Sequence, residues 1–270
     1  MRPLHMSCIG DTNLETMWTA SVDVAIAMPL YNESDGITET VSSLDRELSK
    51  AGLRYILCVQ DDCSTDNSVE KVRALSKLIQ GELRVESNEK NLRHGPTTHR
   101  AYQRSLDTGA ALICQIDSDG EFFPEDLVKL LSSSGQHGLI IGARHKRQSP
   151  WFRRVVTAGL RVLLVFRFGV FSRDPNSPIR VFNATALAEL LRSVSANSPI
   201  PNVQLTILAH RRGLRVKYAR VNHRPRRGAV EEGTMWQSGK SERARVPKSF
   251  VRFCLGALAE FWRTPKHKSE

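Results

Sequence analysis

Three short apolar runs in the first half of the chain each stop at a polar or acidic cluster, and stretches with helical spacing lie between them. Val22 to Leu30 (VDVAIAMPL) closes on Pro29 and then Asn32-Glu33-Ser34. Arg54 to Gln60 (RYILCVQ) closes on Asp61-Asp62-Cys63-Ser64-Thr65-Asp66, and Ala110 to Ile116 (AALICQI) closes on Asp117-Ser118-Asp119-Gly120. Runs of this length bounded by turn residues read as buried strands. Between the first two, Ile37, Val41, Leu44 and Leu48 recur at helical spacing from about Asp35 to Ala51, and Gly52 ends the segment. Val69, Val72, Leu75 and Leu78 mark the apolar face of a second helix, Leu83 to Glu86 a third short strand, and Thr97 to Thr108 a third helix after an Asn91 to Gly95 loop. This alternation predicts an α/β fold, a mostly parallel central sheet with helices on both faces. Ligands of such sheets bind at the carboxyl edge of the strands, where each acidic cluster falls.

The second half is less regular. Gly138 to Gly142 reads as a strand, Pro150 to Phe171 as a helix, and Asp174 to Val181 as a loop running into a short strand. Helices are expected near Ala184 to Val194 and Asn202 to Arg212, a strand at Arg215 to Val221, and an apolar-faced stretch at Pro247 to Trp262 before a basic tail. A chain of 270 residues suits one such domain, expected over residues 22–228, with extensions at 1–21 and 229–270.

Charge is unevenly placed. Residues 1–142 hold 13 Lys/Arg against 21 Asp/Glu, whereas residues 143–270 hold 26 against 7. A basic half of that size implies an anionic partner, whether phosphate groups, an anionic membrane surface or nucleic acid, although solubility alone also accounts for surface charge. Nucleic acid is disfavoured, because the acidic strand ends would repel a phosphate backbone. The first strand is followed by no GxGxxG and by no glycine-rich basic loop, which argues against a dinucleotide-dependent oxidoreductase and a nucleotidyltransferase. Cys8, Cys58, Cys63, Cys114 and Cys254 form an odd set without CxxC spacing, as expected of free thiols in a reducing cytoplasm. No signal peptide is expected from the first twenty residues. Ala158 to Phe171 is too short and, with Arg161 and Arg167, too charged to span a bilayer, so it reads as an amphipathic helix packed on the core or lying on a membrane surface. The expected location is cytoplasmic, with peripheral contact at the inner face of a membrane as an option.

The sharpest chemical feature is Asp117-x-Asp119-x-Glu121 directly after a buried strand. Three carboxylates at this spacing can converge on one hard cation, Mg²⁺ or Mn²⁺, whose remaining positions a diphosphate would fill. Asp-Ser-Asp-Gly is also an ordinary turn sequence. Asp61 and Asp62 offer acceptors to a base or ribose, and Asp66 reads as a helix cap.

Taken in order, Pro29-Leu-Tyr31-Asn32-Glu33, Asp61-Asp62-x-Ser64-x-Asp66, Asn91-x-x-x-Gly95, Asp117-x-Asp119-Gly120 and Pro124-Glu125-Asp126 resemble family-2 glycosyltransferases of the GT-A fold. Dolichol-phosphate mannosyltransferases and bacterial polyprenyl-phosphate sugar transferases are the members most similar, over about Val22 to Gly228. The resemblance implies an inverting, metal-dependent transfer from a UDP- or GDP-sugar. It implies that Pro29, Tyr31 and Glu33 line the nucleotide pocket, that Asp62 with Asp61 holds the base or ribose, and that Asp117, Asp119 and Glu121 address metal and diphosphate. Gly142-Ala-Arg144 resembles an element whose arginine lies near a donor or acceptor phosphate. Asp174-x-x-Ser177-x-x-Arg180 resembles an acceptor-side motif, and His223-Arg-Pro-Arg226-Arg227-Gly228 a loop that closes over the diphosphate. The chain departs from the pattern at Asn202-Val-Gln204, where many relatives carry a carboxylate pair. Asp174 is then the remaining candidate base, and a phosphate acceptor, already anionic, needs no strong one. A polyprenyl phosphate is therefore the expected acceptor. A hydroxyl on a small molecule or glycan is the alternative, and a non-catalytic nucleotide- or phosphate-binding module the reading from a different class. No Gln-x-x-Arg-Trp signature of processive synthases occurs.

Overall fold

A computed structural model describes residues 22–144, 151–224 and 248–264. The elements run β1 (Val24–Leu30), α1 (Ile37–Lys50), β2 (Tyr55–Asp61), α2 (Ser68–Ala74), β3 (Glu82–Ser87), α3 (His94–Leu106), β4 (Leu112–Gln115), α4 (Pro124–Ser132), β5 (Leu139–Arg144), α5 (Trp151–Phe168), β6 (Arg180–Asn183), α6 (Ala184–Leu191), α7 (Pro201–Arg211), β7 (Val216–Val221) and α8 (Lys248–Arg263). Seven strands form one sheet in the order β3-β2-β1-β4-β6-β5-β7. Only β6 runs against the other described strands, pairing antiparallel with β4 and with β5. The expected mostly parallel α/β sheet is present.

Strand alternation divides the core in two. Val24, Ile26, Met28 and Leu30 of β1 face one side, where they meet Ile37, Val41, Leu44 and Leu48 of α1 and Leu127, Leu130 and Leu131 of α4. Ala25 and Ala27 face the other, with Ala101 and Tyr102 of α3, Leu187 and Leu190 of α6, and Leu205 of α7. Alanine at these two positions lets α3 lie close on the strand. A third cluster joins Leu164 of α5, Ile200, Val203 and Ile207 around α7, and Phe261 of α8, so one face of the C-terminal helix packs on the core. None of the described helices is long and apolar enough to cross a membrane.

Three local features differ from the sequence reading. Leu78 is 74% exposed, because α2 gives way to a 3-10 turn at Leu75–Lys77 and the tighter winding rotates Leu78 off the apolar face. Residues Pro124–Ser132, read only as part of a motif, form α4, with proline in the first turn and acidic residues beside it. Helix α3 starts at His94 rather than Thr97. A Cβ on Gly95 would lie 2.2 Å from the Ser198 carbonyl oxygen, so only glycine lets this first turn abut the segment before α7.

The described cysteines, Cys58, Cys63, Cys114 and Cys254, are unpaired, and burial pushes the Cys58 thiol up to about 11. His99 on α3 is buried, and neither ring nitrogen has a hydrogen-bond partner among the described residues. Burial holds its pKa below the ordinary value, and the nearby backbone of Val194 and Leu191 offsets this only in part, without meeting hydrogen-bond geometry. The unfolded chain therefore takes a proton on this ring below about pH 6.5 that the native chain refuses, so stability falls as pH drops through that value. His99→Leu should flatten the decline, read as a smaller change in urea midpoint between pH 7.5 and 5.5. Burial also lowers the pKa of His210, so part of the slope should persist. An unchanged slope in His99→Leu would exclude His99 as its source.

Candidate active site

The loops after β1 and β2 are clasped together. Asn32, at φ 49°, donates its backbone N–H to Ser64 Oγ at 3.0 Å, and its side-chain oxygen accepts from the Thr65 N–H at 2.8 Å. The Glu33 N–H donates to Ser68 Oγ at 2.7 Å. Asp66 accepts from the Ser34 N–H at 3.0 Å and from the N–H and hydroxyl of Ser68, so it ties the loops to one another and to the first residue of α2, whereas the N-cap position expected of it belongs to Asn67. Pro29 is buried one residue before the end of β1, and Tyr31 and Glu33 follow on the fixed loop.

Asp61 and Asp62 are buried, and their carboxylates serve the neighbouring backbone. Asp61 accepts from the Ser64 N–H and hydroxyl. Asp62 accepts from Asn88 Nδ2 at 2.9 Å, from the Leu92 N–H at 2.7 Å and from the Arg93 N–H at 2.8 Å. Asp62 thus fixes the loop that precedes α3, where Arg93 stands at φ 74°.

Asp117 and Asp119 follow β4. Asp117 accepts from Gln115 Nε2 at 3.2 Å, and Gln115 Oε1 in turn accepts from Asn202 Nδ2 at 2.9 Å. The Tyr102 hydroxyl lies 2.9 Å from both Gln115 Oε1 and Asn202 Oδ1. Asn202 is therefore a buried strut behind Asp117, and its neutral amide adds no further charge there. Gln204 bonds instead to Glu260 and Thr264 of the C-terminal segment. Both aspartates keep a narrow opening to solvent but sit deep enough that desolvation leads the upward shift in their pKa. Glu121 adds to the rise at both; at Asp119, Asp117 and Glu33 add to it as well, while His94 and Arg144 counter it at Asp117.

Glu121 is drawn aside. Its Oε2 lies 2.9 Å from His223 Nε2, and the segment after β7 docks on the acidic loop. Phe122 bridges to His223, the Arg224 N–H donates to the Glu121 carbonyl at 2.9 Å, and Arg224 Nε donates to the Gly120 carbonyl at 2.6 Å. Asp126 of α4 accepts from the Asn222 N–H at 2.7 Å and holds the same segment. Among the described residues no three His, Cys, Asp or Glu side chains already converge as a metal cage. Arg226 and Arg227 lie outside the described residues.

Arg144 ends β5 and forms a buried bidentate pair with Asp174, Nε to Oδ2 at 2.7 Å and Nη2 to Oδ1 at 2.9 Å. Burial works against the Arg144 charge, but Asp174, Glu121 and Asp117 outweigh it and hold the pKa up. Gly142 precedes it because a Cβ there would stand 2.5 Å from Ile179 Cγ2 and 2.8 Å from Val221 Cγ1. Ser177 Oγ donates to the Gly142 carbonyl at 2.6 Å, joining the two motifs. Arg180 is 0% exposed. Its guanidinium donates to the carbonyls of Ser177, Asn202 and Pro175 and to Thr206 Oγ1, so it braces the floor beneath the site.

The structure thus gathers Glu33, Asp117, Asp119, Glu121 and Arg144 into one electrostatic neighbourhood, with Asp174 behind Arg144. It sets Asp61, Asp62 and Arg180 into the supporting framework. Gln115 and His94, which act directly on Asp117, were not singled out from the sequence. Gln115 sits two residues before the acidic motif and His94 lies inside the Asn91-x-x-x-Gly95 motif, so both were within reach.

The chain is similar in sequence or fold to several known proteins. An undecaprenyl-phosphate 4-deoxy-4-formamido-L-arabinose transferase from Edwardsiella ictaluri is 24% identical over 202 residues, which span 74% of this chain and 61% of that protein. Among solved structures, mannosyl-3-phosphoglycerate synthase from Rubrobacter xylanophilus superposes with a TM-score of 0.63 at 15% identity, covering 90% of this chain and 73% of that one. Glucosyl-3-phosphoglycerate synthase from Mycobacterium tuberculosis, in complex with Mn²⁺, UDP-glucose and phosphoglyceric acid, superposes with a TM-score of 0.61 at 20% identity, covering 92% and 82%. The model of "Glycosyl transferase family 2" matches residues 25–201, and the chain belongs to that family.

Proposed function

We propose that the chain transfers a sugar, with inversion, from a nucleotide-sugar donor to a phosphate-bearing acceptor, of which a polyprenyl phosphate is the foremost. The observation that carries this reading is the crowding of Asp117 and Asp119 at the end of β4 beside the buried Arg144. The undecaprenyl-phosphate transferase relative supports the lipid acceptor, and the Mn²⁺ and UDP-glucose bound by the mycobacterial neighbour support the donor class.

The residues present fit a divalent cation, Mg²⁺ or Mn²⁺. Burial raises the proton affinity of both Asp117 and Asp119, and at Asp119 the neighbouring Asp117 and Glu121 add to it, an excess of negative charge that a cation relieves; each has one carboxylate oxygen without a hydrogen bond among the described residues. Two carboxylates with the other positions left to phosphate and water suit Mg²⁺, and Glu121, held by His223, stands at the rim. Such a cation supplies charge neutralisation for the departing diphosphate. Arg144 adds a fixed positive charge on the same side. Tyr31 and Glu33, on the clasped loop, line the nucleotide, and Asp62 shapes its pocket through the loop before α3. Asp174 directs both oxygens at Arg144 and serves as a positioning residue for it. That assignment leaves no dedicated base and favours an acceptor that is already anionic. A small phosphorylated hydroxy acid is the second reading, favoured by the phosphoglyceric acid in the mycobacterial complex.

Calorimetry with UDP and GDP, with and without Mn²⁺, tests the donor side. One nucleotide should bind, at least about tenfold more tightly with the metal. Failure of both to bind under either condition would remove the reading.

A further inference from the structure

Beside the carboxylate site, the carboxyl end of the β5/β7 pair opens into a cavity of about 290 Å³ lined by Ala143, Arg144, Arg161, Phe171, Arg173 and Arg220. Its four guanidiniums come from four places in the chain: the end of β5, the middle of α5, the segment after α5, and β7. Arg144 is paired with Asp174, and Arg161 donates to the Arg173 carbonyl. The guanidiniums of Arg173 and Arg220 make no hydrogen bond or ion pair among the described residues. Guanidiniums gathered around one small space repel each other, and an anion there turns repulsion into attraction. The planar fork of arginine matches phosphate oxygens two at a time.

Position narrows the ligand. Arg144 lines the cavity and is within electrostatic reach of Asp117 and Glu121, so the cavity adjoins the acidic loop at Arg144. An anion held there would stand beside the carboxylate site, as the reacting phosphate of an acceptor must. The lip is apolar. Phe171 is 67% exposed, and Val165, exposed as well, stands one turn along α5 from Arg161 on the same face.

We propose that this cavity grips the phosphomonoester of the acceptor through Arg161, Arg173 and Arg220, with Arg144 at its inner wall. The inference deepens the sugar-transfer reading and rests on it for the word acceptor; the phosphate affinity itself does not depend on it. A prenyl chain would leave over the Phe171 lip, whereas a short phosphorylated acid would use the arginines alone.

The test uses the full chain and the double variant R173Q/R220Q. Four probes are titrated: undecaprenyl phosphate and undecaprenol in neutral detergent, and 3-phosphoglycerate and glycerate in buffer. UDP with Mn²⁺ is titrated in parallel. At least one phosphorylated probe should bind about tenfold or more better than its unphosphorylated counterpart, and R173Q/R220Q should lose that advantage. The affinity for UDP with Mn²⁺ should stay within about twofold, and R173K/R220K should recover part of the loss because charge returns without the fork. Preference for undecaprenyl phosphate identifies a lipid source, and preference for 3-phosphoglycerate a soluble one; both uphold the cavity. Absence of any phosphate preference in the native chain overturns it, as does equal phosphate affinity in native and R173Q/R220Q. Intact UDP binding beside either of those results sinks the cavity and spares the sugar-transfer reading. Phosphate binding that depends on the two arginines, in a chain that binds neither UDP nor GDP, does the reverse.

Discussion

Replacing Asp119 with alanine is expected to lower sugar transfer by about 10³-fold or more while leaving the fold in place. The carboxylate sits among Asp117, Glu121 and Glu33, which together with burial push its pKa well up. Among the described residues its one hydrogen bond is from the Glu121 N–H at 3.0 Å, within a turn that Gly120 at φ 67° already shapes. Removing it relieves like-charge repulsion, so the thermal midpoint should hold or rise while metal-dependent UDP binding disappears. Turnover and thermal unfolding measured on one preparation separate the two effects. Turnover within about tenfold of the native chain would show that Asp119 is a turn residue and nothing more.

Arg180→Ala should have the largest effect on stability, a loss of about 3–5 kcal/mol. The side chain is fully buried and donates to three carbonyls and a hydroxyl, drawn from the loop before β6 and from α7. Truncation leaves the Pro175, Ser177 and Asn202 carbonyls short of a donor and opens a cavity beneath them. Urea midpoints measure the loss, and an Arg180→Ala chain as stable as the native one would refute the brace. Lysine should rescue little, because a single ammonium cannot reproduce the spread of the guanidinium bonds. Any folded fraction of the variant should also transfer sugar poorly, since the loop that carries Asp174 rests on this brace.

Much of the fold was legible in the sequence because strands buried on both faces leave continuous apolar runs, as in VAIAMPL and YILCVQD. Helix α4 was missed because its Pro-Glu-Asp start was absorbed into a motif, although Leu127, Leu130 and Leu131 carried the helical spacing. In the site, spacing identified which side chains share the carboxyl edge but not where each one points. Asp62 and Arg180 match motif positions yet serve backbone groups, and Glu121 fits a metal-binding spacing yet meets His223. Those outcomes depend on partners 30, 5 and 102 residues away in the chain, which local pattern does not encode. Asn202 is the reverse case. Its departure from the family pattern was visible, but its place behind Asp117 needed the pairing of α7 with β4.

The reversed strand β6 has a consequence for how such an enzyme diversifies. Because it runs opposite to its neighbours, Arg180 at its start lies beside Gln115 at the end of β4, and the loop before it reaches the catalytic edge from the other direction. The strand is therefore a seam. Carboxylates lie on the β1 to β4 side and the arginine cavity on the β5 and β7 side, each on its own parallel group. On the proposed reading, Arg161, Arg173 and Arg220 can change acceptor preference without touching the carboxylates after β4, whereas Arg144, within electrostatic reach of both sides, cannot.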